Sequence, residues 1–90
     1  SFRTIRQKTA MYLLHLAKVS GTETVELDKT KAALAEYFGV SRPSLEREMT
    51  RMQQEGLIVA ERRRITISDK QKLAQLLHCI FTLVLINLNT

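Results

Sequence analysis

The stretch SRPSLEREMTRMQQEGLI, Ser41 to Ile58, decides how the rest of the chain is read. Leu45, Met49 and Met52 recur at i, i+4 and i+7, the spacing that gathers side chains on one face of an α-helix. Arg42, Pro43, Glu46, Arg47, Thr50 and Arg51 fall off that stripe, most of them in the N-terminal half. Ser41 suits the N-cap, because its hydroxyl accepts from a first-turn amide that has no partner inside the helix. Pro43 suits the same turn, where a missing amide hydrogen costs little. The pattern predicts a helix over residues 42–55 with an apolar inner face and a charged outer one.

Working backwards, DKTKAALAEYFGV, Asp28 to Val40, reads as a shorter helix. Thr30 caps it, Ala32, Ala33, Leu34 and Ala35 favour its interior, and Gly39 stops it by tolerating the left-handed conformation of a tight turn. Between Gly39 and Ser41 stands Val40 alone. Helices joined so tightly cross at a steep angle, which makes residues 30–55 a helix-turn-helix. Leu34, Tyr37 and Phe38 are expected to meet Leu45, Met49 and Met52 at the crossing, with the small Ala35 allowing close approach.

Farther out, Ile5, Tyr12, Leu13, Leu16 and Ala17 place a first helix over Phe2 to Lys18, ended by Ser20 and Gly21. Arg3, Arg6, Lys8 and Lys18 lie along it without an acidic neighbour, as a solvated face or as the continuation of an upstream helix. The abrupt start is what a piece of a longer protein would show. Thr24 to Leu27, rich in β-branched residues, reads as an edge strand. After Gly56 the runs LIVA and ITI flank ERRR, Glu61 to Arg64, a β-hairpin with a charged tip. Ser68 and Gln71 resemble a capping box for a last helix carrying Leu73, Leu76 and Leu77. The expected fold is a winged helix-turn-helix of the α+β class: mainly α, a three-helix core plus a C-terminal helix, and a small hairpin wing over residues 57–67. It occupies residues 1–78 as one domain. The uncharged tail CIFTLVLINLNT, residues 79–90, is expected to pack on the domain or in an interface, being shorter than the ~20 apolar residues that span a membrane.

Ninety residues allow one domain, and 44% hydrophobic with 26% charged residues is ordinary for a folded chain. Fourteen Lys and Arg against nine Asp and Glu give a net charge of +5, which suits a polyanionic partner. The single cysteine, Cys79, cannot close an internal disulfide and reads as a small apolar residue in a reducing cytoplasm. No signal-like segment opens the chain. His15 sits among apolar helical residues, His78 and Cys79 lack the second ligand pair of a zinc site, and no glycine-rich phosphate loop occurs. An enzyme is not expected, and neither is a cofactor or metal in this stretch.

In a major groove, Arg bonds bidentately to guanine O6 and N7, and Glu accepts from cytosine N4. Arg42, Pro43, Glu46 and Arg47 are therefore the candidate base-reading set. The blander reading is a solvated face with an Arg42–Glu46 pair or a Glu46–Thr50 contact, worth ~0.3 kcal/mol. The tight preceding turn favours recognition, because it presents this face at the tip of the domain. Arg62, Arg63 and Arg64 can reach phosphates, releasing counterions; the alternative is a hairpin kept soluble by charge.

The run TKAALAEYFGVSRPSLEREMTRMQQEGLI, followed by RRRITISD and KLAQLL, resembles the DNA-binding domain of the cyclic-AMP receptor protein and fumarate-nitrate regulator (Crp/Fnr) family of bacterial transcription factors. The resemblance extends from YLLHLA, residues 12–17, through Leu77. It implies a homodimer on a near-palindromic operator in double-stranded DNA, with RNA polymerase as a further partner. A sensor domain and a dimerisation helix would precede this segment, and the effector would bind there. Arg42 and Arg47 fall where the family contacts base edges or nearby phosphate, and Ser41, Ser44 and Thr30 at phosphate-contacting or capping positions. Lys31, Arg51, Arg62, Arg63 and Arg64 complete the candidate phosphate set. Pro43 stands where many members have Glu, and Glu46 where Gly or Ser is frequent, so the half-site is expected to differ from the family's usual one. A second class remains open: a winged-helix interaction or dimerisation module whose working surface is the uncharged tail.

Overall fold

The computed structural model describes residues 3–78, so the expected helix start at Phe2 and the tail with Cys79 lie outside the described residues. Helix α1, Ile5–Ser20, opens on a capping box: the Thr4 hydroxyl accepts from the Gln7 amide at 3.1 Å and the Gln7 side chain accepts from the Thr4 amide at 3.0 Å. The helix starts where those free amides are satisfied, later than its apolar spacing suggested. Strand β1 is Thr24–Glu26, one residue shorter than expected, and α2 is Lys31–Phe38. Helix α3, Arg42–Gln54, stops one residue short of the predicted span, with Glu55 as its C-cap. Strands β2, Ile58–Glu61, and β3, Arg64–Ile67, lead into α4, Lys70–Gln75.

The turn between α2 and α3 forms as its residues dictate. Gly39 adopts φ 73°, Val40 N donates to Ala35 O at 2.9 Å, and the Ser41 hydroxyl accepts from Ser44 N at 3.2 Å. On α3, Leu45, Met49 and Met52 are buried against Leu34, Ala35 and Phe38 of α2, Leu13 of α1 and Ile58 of β2 in one core. Tyr37 departs from the expected contact set. It is 67% exposed and packs beside the rings of Tyr12 and Phe38, because Leu34, Ala35 and Phe38 centre the inner face of α2 roughly 100° away from it.

The hairpin is wider than two strands. All pairing is antiparallel in the order β1-β3-β2, so β1 is the edge strand its composition suggested. Glu61 pairs with Arg64 across the ladder, which corrects the four-residue tip to a two-residue turn of Arg62 and Arg63. Such short loops match the twist of the strands they join, and they need positive φ; Arg62 adopts 57°. Ser68 does not cap α4. Its amide donates to Leu57 O, and the neighbouring Asp69 carboxylate accepts from Lys72 N at 2.9 Å. No described helix is long and apolar enough to cross a membrane.

A Cβ added at Gly39 would meet nothing within 4 Å, so the cost of Gly39→Ala is the left-handed backbone alone, about 1–2 kcal/mol. Leu45→Ala leaves a cavity and is expected to cost about 2–5 kcal/mol. Urea unfolding should order these variants as parent, Gly39→Ala, Leu45→Ala; parent-like stability of Gly39→Ala would contradict the turn argument.

Candidate nucleic-acid interface

The outer face of α3 follows from the burial of its inner one. Pro43, Glu46, Arg47, Thr50 and Arg51 line one open, shallow depression along it. Arg42 Nε donates to Glu46 Oε1 at 3.3 Å, with the two side chains 60% and 41% exposed. Thr50 Oγ1 donates to the Glu46 carbonyl at 2.9 Å, and Arg47 Nη2 donates to Ser44 Oγ at 3.3 Å. Both contacts of the blander reading are thus present, Thr50 meeting the backbone of Glu46. Exposed pairs of this kind are worth about 0.3–0.5 kcal/mol, so a base edge can replace them. Ser41 Oγ donates to Ser44 Oγ at 2.7 Å, so the capping serines and Arg47 form one chain of hydrogen bonds at the α3 N-terminus.

The other candidate residues lie on separate elements. Thr30 caps α2, accepting from Ala33 N at 3.1 Å, with the partly buried Lys31 next to it. The wing arginines share a second depression with Glu26 and Glu61. Arg64 is no tip residue: it belongs to β3 and donates from Nε to Glu26 Oε1 at 3.1 Å. Arg63 Nη2 donates to Leu27 O at 3.1 Å, while Arg62 makes no such bond among the described residues. All three wing arginines are exposed, and among the described residues Arg62 is the one of them without an internal hydrogen bond.

On the basic side of α1, Arg3 and Lys18 are exposed, but Arg6 and Lys8 are tied to neighbouring helices. Arg6 Nε donates to Glu48 Oε1 at 2.6 Å, and its Nη1 and Nη2 grip Glu55 at 2.8 and 2.5 Å, a bidentate fork across to α3. Glu48 also accepts from Arg51 Nη1 at 2.9 Å. Burial pushes the Glu48 carboxyl up, but the bonds from Arg6 and Arg51 outweigh it and hold the group below its ordinary 4.5. The Arg6 hydrogen bond likewise lowers Glu55. Lys8 Nζ donates to Phe38 O at 2.9 Å at the C-terminal end of α2, where a cation is favoured. Gln53 Oε1 accepts from Ala60 N at 2.6 Å and fixes β2 beside α3. None of these ties was read from sequence. Their one signal was cations on α1 without acidic neighbours and carboxylates on α3 seven residues apart, Glu48 and Glu55.

The sequence matches the Crp-like helix-turn-helix domain over residues 7–76, which runs from the first turn of α1 through the crossing helices, the sheet and α4. The chain belongs to that family. Membership makes this Crp-like domain a DNA-binding domain of the regulator type. Comparison with curated proteins gives no match. Among solved structures, one similar chain is a protein assigned as a transcriptional regulator of the Crp/Fnr family from Eubacterium rectale, 28% identical with a TM-score of 0.72, covering 83% of this chain and 34% of that one. FixK2 from Bradyrhizobium japonicum superposes with a TM-score of 0.75 at 18% identity, over 84% of this chain and 39% of its own. The CO-dependent transcription factor CooA from Carboxydothermus hydrogenoformans gives 0.71 at 21%, over 79% and 35%. The latter two speak for the fold. The Crp-like domain thus corresponds to 34–39% of the length of these structures.

Because Glu48 and Glu55 titrate lower in the folded state than their ordinary 4.5, their contribution to stability is complete above that pH and is lost as pH falls through the lower folded values. Urea midpoints of the parent and of Glu48→Gln/Glu55→Gln, measured from about pH 6 to about pH 3, should converge as the acid limit is approached. A gap that stays constant over the range would remove the assigned role of these carboxylates.

Proposed function

We propose that this domain is the sequence-specific DNA-binding part of a Crp/Fnr-type transcription regulator, with α3 in the major groove and the hairpin on the flanking phosphates. The observation that carries this reading is the outer face of α3. It is rigidly placed by a fully buried stripe, yet Arg42, Glu46 and Arg47 on it are held by weak exposed contacts alone. Arg47 is assigned to a guanine edge through O6 and N7, and Glu46 to a cytosine N4 amine. Arg42 reads a neighbouring guanine or its phosphate once released from Glu46. Pro43 cannot hydrogen-bond through its side chain, and it offers an apolar contact to a thymine methyl.

Phosphates are assigned to Ser41 and Ser44 at the start of α3, Thr30 and Lys31 at the start of α2, Arg51 on α3, and Arg62, Arg63 and Arg64 on the wing. Of these, Arg62 is the readiest wing contact, since Arg63 and Arg64 carry internal bonds that DNA would have to replace. A homodimer reading a near-palindromic operator, contact with RNA polymerase and a cytoplasmic setting belong to the same proposal. They are supported by family membership and by the regulators among the similar structures. The effector site is assigned to the part of such regulators that lies outside this domain.

Selection of the parent and of Arg42→Ala/Arg47→Ala from randomised duplex DNA should enrich a short half-site for the parent alone. Arg47→Ala by itself is expected to weaken binding by about 1–3 kcal/mol and to relax specificity at one base pair. Equal enrichment by parent and double variant would remove the base-reading role, and no DNA binding at low salt would overturn the proposal as a whole.

A further inference from the structure

Arg51 is 61% exposed on the DNA-facing side of α3, yet its partner belongs to the interior. The Glu48 side chain is 15% exposed, and each of its oxygens accepts from a different arginine, Oε1 from Arg6 on α1 and Oε2 from Arg51. A largely buried carboxylate left with too few donors is costly, so the number of guanidiniums around it matters. With Arg6 in place at 2.6 Å, the contact from Arg51 is a supplementary, exposed i,i+3 pair of the kind that is easily given up. Without Arg6, Arg51 becomes the sole guanidinium on Glu48 and is drawn inward.

We propose that Arg6 is a positioning residue for DNA binding: by satisfying Glu48 from the α1 side it leaves Arg51 able to turn to a phosphate, so that the α1–α3 contact sets how many phosphates α3 neutralises. This rests on the DNA-binding reading above. It assigns Arg6 a role at a surface that it never touches. Glu55 provides an internal control, because its carboxylate bonds the other arm of Arg6 and not the Arg51 guanidinium.

The test is the salt dependence of affinity for random-sequence duplex DNA, with the 90-residue chain and its variants. Arg6→Gln should lower the slope of log affinity against log salt by about 0.9, the value of one phosphate contact. Arg51→Gln should do the same, and Arg6→Gln/Arg51→Gln should lose no more than either alone. Adding Glu48→Gln to Arg6→Gln should restore the slope, whereas adding Glu55→Gln should not, although both pairs carry the same net charge. Equal rescue by Glu55→Gln would mean that net charge alone is at work, and additive losses or no rescue would mean that Arg6 does not act through Arg51; each overturns the proposal. Circular dichroism of every variant establishes folding. Should Arg6→Gln fail to fold, Glu48→Gln alone decides, since it is expected to bind with at least the parent slope and a smaller slope overturns the proposal. Absence of DNA binding by the parent would instead defeat the underlying reading.

Discussion

Burial of Leu45, Met49 and Met52 fixes α3 against α1, α2 and β2 at once, and the remaining geometry follows from it. A helix with one stripe sealed in a core has its rotation about its own axis decided. Residues on the opposite side are then aimed without needing strong contacts of their own. That is the condition for a surface that must exchange partners: the scaffold is held by apolar packing, while the outward arginines rest on hydrogen bonds worth little.

A second layer of control is polar and lies at the seam between α1 and α3. The Arg6 fork joins residues 42 and 49 positions apart in sequence, and it does so with partly desolvated groups. Unlike the exposed Arg42–Glu46 pair, this network cannot lose Arg6 cheaply, because a largely buried Glu48 would be left short of donors. Gln53 and Lys8 add single polar ties to β2 and α2. Helix α3 is therefore tied at both ends, by caps at its N-terminus and by Arg6 and Gln53 toward its C-terminus.

The parts legible in sequence are those specified by local chemistry. Gly39, Ser41 and Pro43 announced the helix-turn-helix because each acts within a few residues of itself. The apolar runs on either side of ERRR and the 3.6-period stripe pointed to the wing and to α3 for the same reason. What was missed is non-local or depends on competition between neighbours. The Arg6 contacts require knowing which helices lie side by side. Tyr37 and Phe38 are adjacent aromatics, and which of them is buried depends on where each falls around α2 relative to Leu34 and Ala35. Ser68 and Asp69 are both good caps, and it is Asp69 that stands directly before Lys70 and accepts from Lys72 N. The Thr4 and Gln7 capping box is a local signal too, and it sets the start of α1 where apolar spacing alone does not. Charge alone does not mark the wing tip, since Glu61 and Arg64 are paired strand residues.

Arg62 at the wing turn holds a conformation that glycine or asparagine would adopt with less strain, at φ 57°. At this one residue, backbone comfort and surface charge oppose each other. A substitution that relaxes the turn also deletes the cation at its apex, so thermal robustness of the hairpin and its electrostatic reach cannot be raised by the same change there.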